Sequence, residues 1–219
     1  MYVGRIVAVG RTPKGRNAVL YRVSSRSFPN RRTVETPRGL AIVPIEGHEK
    51  DISKNPYIAY NAVRIAGETA VATNGSQTDP IAETIASGMS IRDAMAESLL
   101  VLDYEKDDFC TPRIAVAVAC GAEEGWCGVV RKDALIVRSF PLEAGKAFYF
   151  ATYEQNEPRP EFVSEFRAAT AAEAARWVVD GGKFADLEKP VCSAAAVAGD
   201  SGPACRQARF DLAGYTVTG

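Results

Sequence analysis

Short apolar segments separated by glycine, proline and asparagine turns recur along the chain, and this punctuation restricts its fold more than any other feature. A strand is predicted over 1–9, which Gly10 ends, and segments 60–65 and 69–73 flank Gly67 as the two arms of a hairpin. Further strands are predicted at 18–24, 40–45, 114–119, 126–130, 134–137, 147–152 and 191–198. A chain divided in this way must build its sheets from many short strands.

Three segments carry helix signals instead. Each has a capping residue at its start, and apolar residues or a glycine mark its extent and its end. The predicted helices begin at Thr78 or Asp79, at Ser90 and at a capping box of Thr170 and Glu173, and they end near Gly88, Leu102 and Gly181.

The order of these elements suggests the fold class. Strands come first, then a helix pair, then more strands and a last helix, which favours an α/β or α+β domain with sheet packed on sheet. With 219 residues and 47% hydrophobic content, the chain suits a single domain over residues 1–219. The tail from about residue 199 is left unassigned.

Composition excludes several classes of partner. The net charge of −1 argues against nucleic acid and anionic membranes. No segment approaches the roughly 20 apolar residues of a membrane span, and the N-terminus lacks the pattern of a signal peptide. We therefore expect a soluble, cytoplasmic protein, and we leave open whether it forms a homo-oligomer.

Cysteine and histidine usage predicts no metal site. The five cysteines include no CxxC pair, and Cys205 lies in the unassigned tail. His48 is the only histidine, and we interpret it as an ordinary loop residue. No metal and no organic cofactor are expected.

The most distinctive local feature is a run of arginines and small polar residues after the second predicted strand. Guanidinium groups suit phosphate, hydroxyl groups fill the space between them, and a ring is available for stacking. A solvated basic loop is the alternative. The run comprises Arg22, Ser24, Ser25, Arg26, Ser27, Phe28, Asn30, Arg31 and Arg32.

Three other polar segments are weaker candidates. Segment 55–61 contains two tyrosines and two asparagines that could donate to an oxyanion or hold a carboxamide. Segment 72–79 joins a strand to a helix start, and segment 103–108 crowds four carboxylates around one lysine, where a general base could lie. Taken alone, each is also typical of an ordinary turn, cap or solvated helix end.

Together these segments resemble the archaeal-type inosine monophosphate (IMP) cyclohydrolase family. The resemblance spans about residues 1–197, and the arginine–serine run is its most specific part. The matching stretches are 2–5, 21–31, 43–49, 55–61, 74–79, 103–107, 111–114 and 152–155.

The resemblance implies ring closure of 5-formamidoimidazole-4-carboxamide ribotide to IMP with loss of water, the last step of de novo purine synthesis. It also implies an α+β, four-layer αββα sandwich like that of the N-terminal-nucleophile hydrolases. Those hydrolases use a terminal Ser, Thr or Cys, whereas this chain begins with Met1 and Tyr2. Ring closure needs no such residue, because the substrate supplies both nucleophile and electrophile.

The resemblance also suggests roles for particular side chains. Arg31, Tyr60 and Glu105 are assigned to catalysis. Arg31 polarises the formyl oxygen or the base, Tyr60 is the proton donor or oxyanion partner, and Glu105 is the general base or the residue that positions it. A non-catalytic domain that binds purine ribotides, or an amide hydrolase of the same fold, remains an alternative. The residues assigned to substrate binding are Arg22, Ser24, Arg26, Ser27, Phe28, Tyr57, Asn61 and Asn74.

Overall fold

The structure is a computed structural model that describes residues 1–199 and 210–217. Cys205 and the neighbouring part of the unassigned tail lie outside these ranges. The described helices are α1 (Asp51–Lys54), α2 (Thr78–Ala86), α3 (Ile91–Leu102) and α4 (Ala171–Asp180), with 3₁₀ turns at Pro56–Ile58 and Gly182–Phe184. The described strands are β1 (Ile6–Arg11), β2 (Asn17–Ser24), β3 (Arg31–Thr36), β4 (Gly39–Pro44), β5 (Tyr60–Ala66), β6 (Thr69–Thr73), β7 (Arg113–Ala119), β8 (Glu124–Arg131), β9 (Ala134–Pro141), β10 (Lys146–Ala151), β11 (Val163–Glu165), β12 (Pro190–Ala198) and β13 (Phe210–Thr216).

The strands form two antiparallel sheets. The first has the order β11-β10-β1-β2-β12-β13, so the early strand β2 lies between β1 and the late strand β12. The second follows the chain from β3 to β9 without a crossover, as a meander of seven strands. The predicted hairpin is confirmed as β5 and β6, which pair from Val63 with Ala72 to Ala66 with Thr69.

The main core lies between the two sheets. Alternate residues of β2, namely Val19, Tyr21 and Val23, belong to this core, whereas Ala18 and Leu20 belong to a second core beneath α4. A third and smaller core lies between the second sheet and the pair α2 and α3. Successive side chains of one strand therefore enter different parts of the molecule.

The helix caps largely follow the sequence. The Ser90 hydroxyl accepts the amide of Asp93, and Thr170 with Glu173 forms the predicted capping box. Helix α2 differs, because it begins at Thr78, whose hydroxyl bonds to that of Thr73 at 2.6 Å rather than capping the helix. None of the helices in the described part of the chain is long and apolar enough to cross a bilayer.

The predicted four-layer αββα sandwich is wrong. The described residues are mostly β, in two large antiparallel sheets, and the four helices are short, from 4 to 12 residues. One helix on the first sheet and a pair on the second do not make helical layers that flank the sheets. The sequence pattern missed β3, β11 and β13, because these strands are partly exposed and lack a strong apolar signal.

Candidate functional site

Two adjoining cavities open where the loop after β2 meets the N-terminal segment and the loop after α3. The inner cavity has a volume of about 230 Å³, and the outer cavity one of about 580 Å³. They share Tyr2, Ser27, Phe109 and Tyr153. The inner cavity is also lined by Arg5, Ser25, Phe28, Arg31, Asn55, Tyr57, Ile58, Asp107 and Asp108. The outer cavity adds Met1, Arg26 and Glu154.

A buried ion pair lies at the inner end of the site. Arg5 lines the inner cavity, and its Nη2 donates to Oε2 of Glu105 at 2.9 Å. Gly4 brings Arg5 to this place, since its φ of +73° favours glycine and a Cβ there would lie 2.1 Å from Oγ1 of Thr152. The close approach of the N-terminal segment to Thr152 therefore requires a residue without a side chain at Gly4.

Glu105 is fully buried, and its loop is tightly fixed. Its amide donates to the carbonyl of Thr111, and the Asp107 carboxylate accepts both the amide and the hydroxyl of Thr111. Arg113 supports the start of the loop by donating from Nε to the carbonyl of Asp103 at 2.7 Å. These bonds hold the carboxylate in one place.

The two oxygens of Glu105 differ. Oε2 accepts from Arg5, whereas Oε1 is buried and finds no hydrogen-bond partner among the described residues. Burial raises the pKa of Glu105, although Arg5 and Arg113 oppose that rise. A carboxyl group with a raised pKa and a free oxygen is suited to accept a proton.

Two phenols meet between the sheets beside this ion pair. The hydroxyls of Tyr21, on β2, and Tyr60, on β5, lie 2.5 Å apart. Burial raises the pKa of Tyr60, while the positive charges of Arg31 and Arg5 act against the rise. A phenol between two arginines can donate a hydrogen bond and tolerate the loss of its proton.

Arg31 contributes a cation to the inner cavity. It is only 4% exposed, and its Nε donates to the carbonyl of Phe28 at 3.0 Å. Its two terminal nitrogens make no hydrogen bond to the part of the chain that the structure describes. Arg31 can therefore present two donors to a bound anion or oxyanion.

The outer cavity is framed by aromatic rings and an exposed arginine. The rings of Tyr2 and Tyr153 stack with centroids 6.2 Å apart, and the guanidinium of Arg26 lies 4.2 Å from the Tyr2 centroid. Arg26 also pairs with Glu188 at 3.3 Å, and both side chains are about half exposed. This pair is weak enough to exchange for a stronger anion.

Five of the eleven predicted site residues line the cavities. Ser27, Phe28, Arg31 and Tyr57 line the inner cavity, and Arg26 lines the outer one. Tyr60 and Glu105 do not line either cavity. Glu105 lies behind Arg5, and Tyr60 is close enough to Arg5 and Arg31 to be influenced by both charges.

Arg22 and Ser24 lie elsewhere. The guanidinium of Arg22 is fully buried on the α4 side of the first sheet, and Ser24 accepts from its Nε at 2.9 Å. Its remaining nitrogens donate to backbone carbonyls near the end of α4, those of Val179, Phe184, Leu187 and Glu188. Arg22 therefore has a structural role here, and no donor of it is directed at the cavities.

Asn61 and Asn74 are also bonded away from the cavities. Asn61 donates to the carboxylate of Asp79, and Arg64 bonds to the same carboxylate. Asn74 is fully buried and donates to the carbonyl of Pro112, while its oxygen accepts from Gln77. Both asparagines brace the start of α2 rather than line the site.

The choice of individual site residues from the sequence missed several that the structure places at the cavities. Tyr2, Arg5 and Tyr153 line the inner cavity, and Tyr21 contacts Tyr60. All four lie in stretches that carry the family resemblance, so the stretches indicated them although no role was given to the single residues. The sequence did not show which way each of these four side chains points.

The described residues contain no group of three or more His, Cys, Asp or Glu that could hold a metal ion. The cavities are lined by three arginines, three tyrosines and three carboxylates, and the guanidinium groups of the arginines can bind an anionic organic ligand. A cavity of this kind backed by a buried carboxylate is typical of an enzyme that acts on a small anionic molecule.

The chain belongs to the IMP cyclohydrolase-like protein family, whose model matches residues 2–202. A relative from Methanosphaera stadtmanae named IMP cyclohydrolase is 46% identical over 196 residues, which cover 90% of this chain and 94% of the relative. Relatives of the same name from Methanococcus maripaludis and Halobacterium salinarum are 44% and 45% identical. Their alignments cover 91% and 89% of this chain, and 96% and 90% of the relatives.

Proposed function

We propose that this protein is an IMP cyclohydrolase. It closes 5-formamidoimidazole-4-carboxamide ribotide to IMP with loss of water, in purine biosynthesis. The family match and the names of relatives aligned over about nine tenths of the chain support this function. Within the site, the observation that carries the proposal is the buried Glu105 carboxylate, which has one oxygen without a partner among the described residues and lies behind the arginine-lined inner cavity.

Ring closure first requires a better nucleophile. A carboxamide nitrogen must lose a proton as it attacks the formyl carbon, and the two groups must be held in contact. Because Arg5 lies between Glu105 and the inner cavity, Oε1 of Glu105 accepts this proton through a bridging water, while Arg5 holds Oε2 and so fixes the orientation of the carboxylate. The aromatic rings of Phe28 and Tyr57 form walls against which the substrate base can stack.

The formyl oxygen becomes negative as the new C–N bond forms. Arg31 directs its terminal nitrogens to this oxygen, and Tyr60, which lies near Arg5 and Arg31 behind the cavity lining, supplies a proton to it through a bridging water. The oxygen leaves as water after it also receives the proton that Glu105 accepted. The formamide nitrogen gives up its own proton as the C=N bond forms, and this proton restores Tyr60.

The phosphate of the substrate is held at the mouth of the site. Arg26 and Ser27 line the outer cavity, and Arg26 exchanges its exposed partner Glu188 for the phosphate. Binding energy from this remote group helps to orient the reacting atoms. The charge on the formyl oxygen is stabilised by arginine and tyrosine, so the reaction is proposed to proceed without a metal.

The test is turnover of the purified protein with the formylated ribotide, followed by the absorbance of the purine product. We expect ring closure with the ribotide and much slower reaction with the dephosphorylated riboside. Binding without turnover would favour a ribotide-binding domain instead. Release of formate without ring closure would favour an amide hydrolase.

A further inference from the structure

The hydrogen bond between Tyr21 and Tyr60 is not explained by the catalytic roles proposed above. Tyr60 has a role as proton donor, whereas Tyr21 is fully buried in the core between the sheets and lines neither cavity. The two rings are arranged edge to face, with centroids 6.2 Å apart and planes at 66°. A polar hydroxyl in such a core must be held by a partner, and here that partner is another phenol.

The direction of this bond follows from what surrounds each hydroxyl. Tyr60 is the only hydrogen-bond partner of the Tyr21 hydroxyl among the described residues. If Tyr60 donated, the proton of Tyr21 would lack an acceptor in an apolar core, at a cost of about 1–3 kcal/mol. If Tyr21 donates, its proton is satisfied, and the proton of Tyr60, which is partly exposed whereas Tyr21 is fully buried, can still reach solvent or a bound substrate. Tyr21 is therefore the donor.

We infer that Tyr21 is a positioning residue, which donates a hydrogen bond to the Tyr60 oxygen and makes Tyr60 a stronger acid during ring closure. Its catalytic consequence rests on the proposed function. As Tyr60 gives up its proton, the hydrogen bond from Tyr21 stabilises the negative charge that develops on the buried Tyr60 oxygen. The bond also fixes the ring of Tyr60 relative to Arg5 and Arg31.

The charges around the pair agree with this direction. Arg31 from β3 and Arg5 from the N-terminal segment favour the Tyr60 phenolate, whereas Glu105 from the loop after α3 opposes it. Burial and Tyr60 itself raise the pKa of Tyr21 well above its usual value, although Arg5 and Arg31 oppose the rise. Tyr21 thus keeps its proton under conditions in which Tyr60 can release one.

A titration of Tyr60 tests the inference without any need for turnover. The protein is labelled with ¹³C at the phenol carbon of tyrosine, and the Tyr60 signal is assigned by its loss in Tyr60→Phe. We expect Tyr21→Phe to raise the pKa of Tyr60 by about 1, since the phenolate loses one stabilising donor. The matched control is Tyr149→Phe, another buried tyrosine that is packed against Phe184 away from the site. An unchanged or lowered pKa of Tyr60 in Tyr21→Phe would overturn the inference.

A second variant covers the case in which Tyr21→Phe does not fold. With 3-fluorotyrosine at position 21, the oxygen is kept and the hydroxyl becomes a stronger donor. The pKa of Tyr60 should then fall. A Tyr60 pKa that does not respond to this change shows that Tyr21 does not donate to it.

Kinetics test the catalytic consequence. In Tyr21→Phe we expect kcat to fall about tenfold with KM within about twofold, and the alkaline limb of the pH–rate profile to move to higher pH. Tyr21→Phe should cost nothing further in a Tyr60→Phe background, because it acts through Tyr60. Additive losses would contradict the inference, whereas failure of the wild-type protein to close the ring would contradict only the proposed function.

Discussion

Arg5 and Glu105, 100 positions apart in the chain, form a buried ion pair of 2.9 Å, and the arginine separates the carboxylate from the inner cavity. The arginine binds one carboxylate oxygen and leaves the other unpaired. This division of one side chain into an anchored oxygen and a free oxygen is the basis of the first two predictions.

Glu105→Gln should reduce the rate of ring closure by about 10²–10⁴-fold and leave IMP binding within a few-fold, because glutamine keeps the shape and loses the base. The rate is measured by product absorbance and binding by calorimetry. The matched control is Asp103→Asn, an exposed carboxylate that begins the same loop and pairs with Lys106, and it should be close to wild type. Wild-type turnover in Glu105→Gln would assign Glu105 to structure alone.

The pH dependence of the reaction should reflect the raised pKa of Glu105. Its base form is needed, so kcat/KM should fall as the pH falls through a pKa above the ordinary value of 4.5. The sign follows from burial, which favours the neutral carboxyl group. The measurement is the acid limb of the pH–rate profile, and a limb at or below pH 4.5 would be inconsistent with the buried base.

Arg26→Ala should weaken substrate binding through the phosphate. The loss of one charge-assisted contact should cost about 1.5–3 kcal/mol, which is roughly 10-fold to 150-fold in KM. The preference for ribotide over riboside should shrink by a similar factor. Arg32→Ala is the control, since Arg32 is exposed in the same basic run and lines neither cavity. An unchanged preference would place the phosphate away from Arg26.

Arg22→Leu should affect stability rather than binding. The variant leaves the carbonyls of Val179, Phe184 and Leu187 without their donor, and the free energy of unfolding should fall by about 3 kcal/mol. The KM of the folded protein for ribotide should remain within about twofold. Urea unfolding measures the first quantity and steady-state kinetics the second. A large rise in KM without loss of stability would contradict the structural role.

Chelation should leave the reaction intact. The proposed site stabilises charge with arginine and tyrosine. In the acidic segment 103–108, the Asp103 carboxylate pairs with Lys106, and the Asp107 carboxylate accepts a hydrogen bond from Thr111. The measurement is the rate before and after treatment with EDTA. Activity that is lost with the chelator and restored by one particular divalent ion would disprove the metal-free mechanism.

The sequence predicted the stretches of chain that meet at the cavities better than the individual side chains that line them, and strand geometry explains why. Neighbouring residues of a strand point to opposite faces, so Tyr21 meets Tyr60 between the sheets while Arg22 lies beneath α4. On β5, Tyr60 likewise points inward and Asn61 is bonded to Asp79. Charge and residue type made Arg22 and Asn61 attractive, but the face that each residue occupies depends on register and on the layers that pack around the strand.

Most individual strands and helices could be predicted from the sequence, but the proportion of strand to helix could not. The hairpin of β5 and β6 and the capped helices follow from local turn and cap chemistry. The edge strand β3 has few apolar residues and owes its conformation to pairing with its hairpin partner β4, which the residues of β3 alone do not reveal. The expectation of complete helical layers came from the resemblance and not from the residues.

The position of β2 has a consequence for the order in which the polypeptide can fold during its synthesis. Its pairing with β1 needs only the first 24 residues, but its other edge pairs with β12, and Arg22 finds carbonyl partners only at residues 179–188. While the ribosome is still producing the middle of the chain, one edge of β2 and one guanidinium remain without their partners. The first sheet is therefore completed only after β12, which follows α4, has been synthesised. A truncated chain that lacks β12 exposes an unpaired strand edge, which favours aggregation.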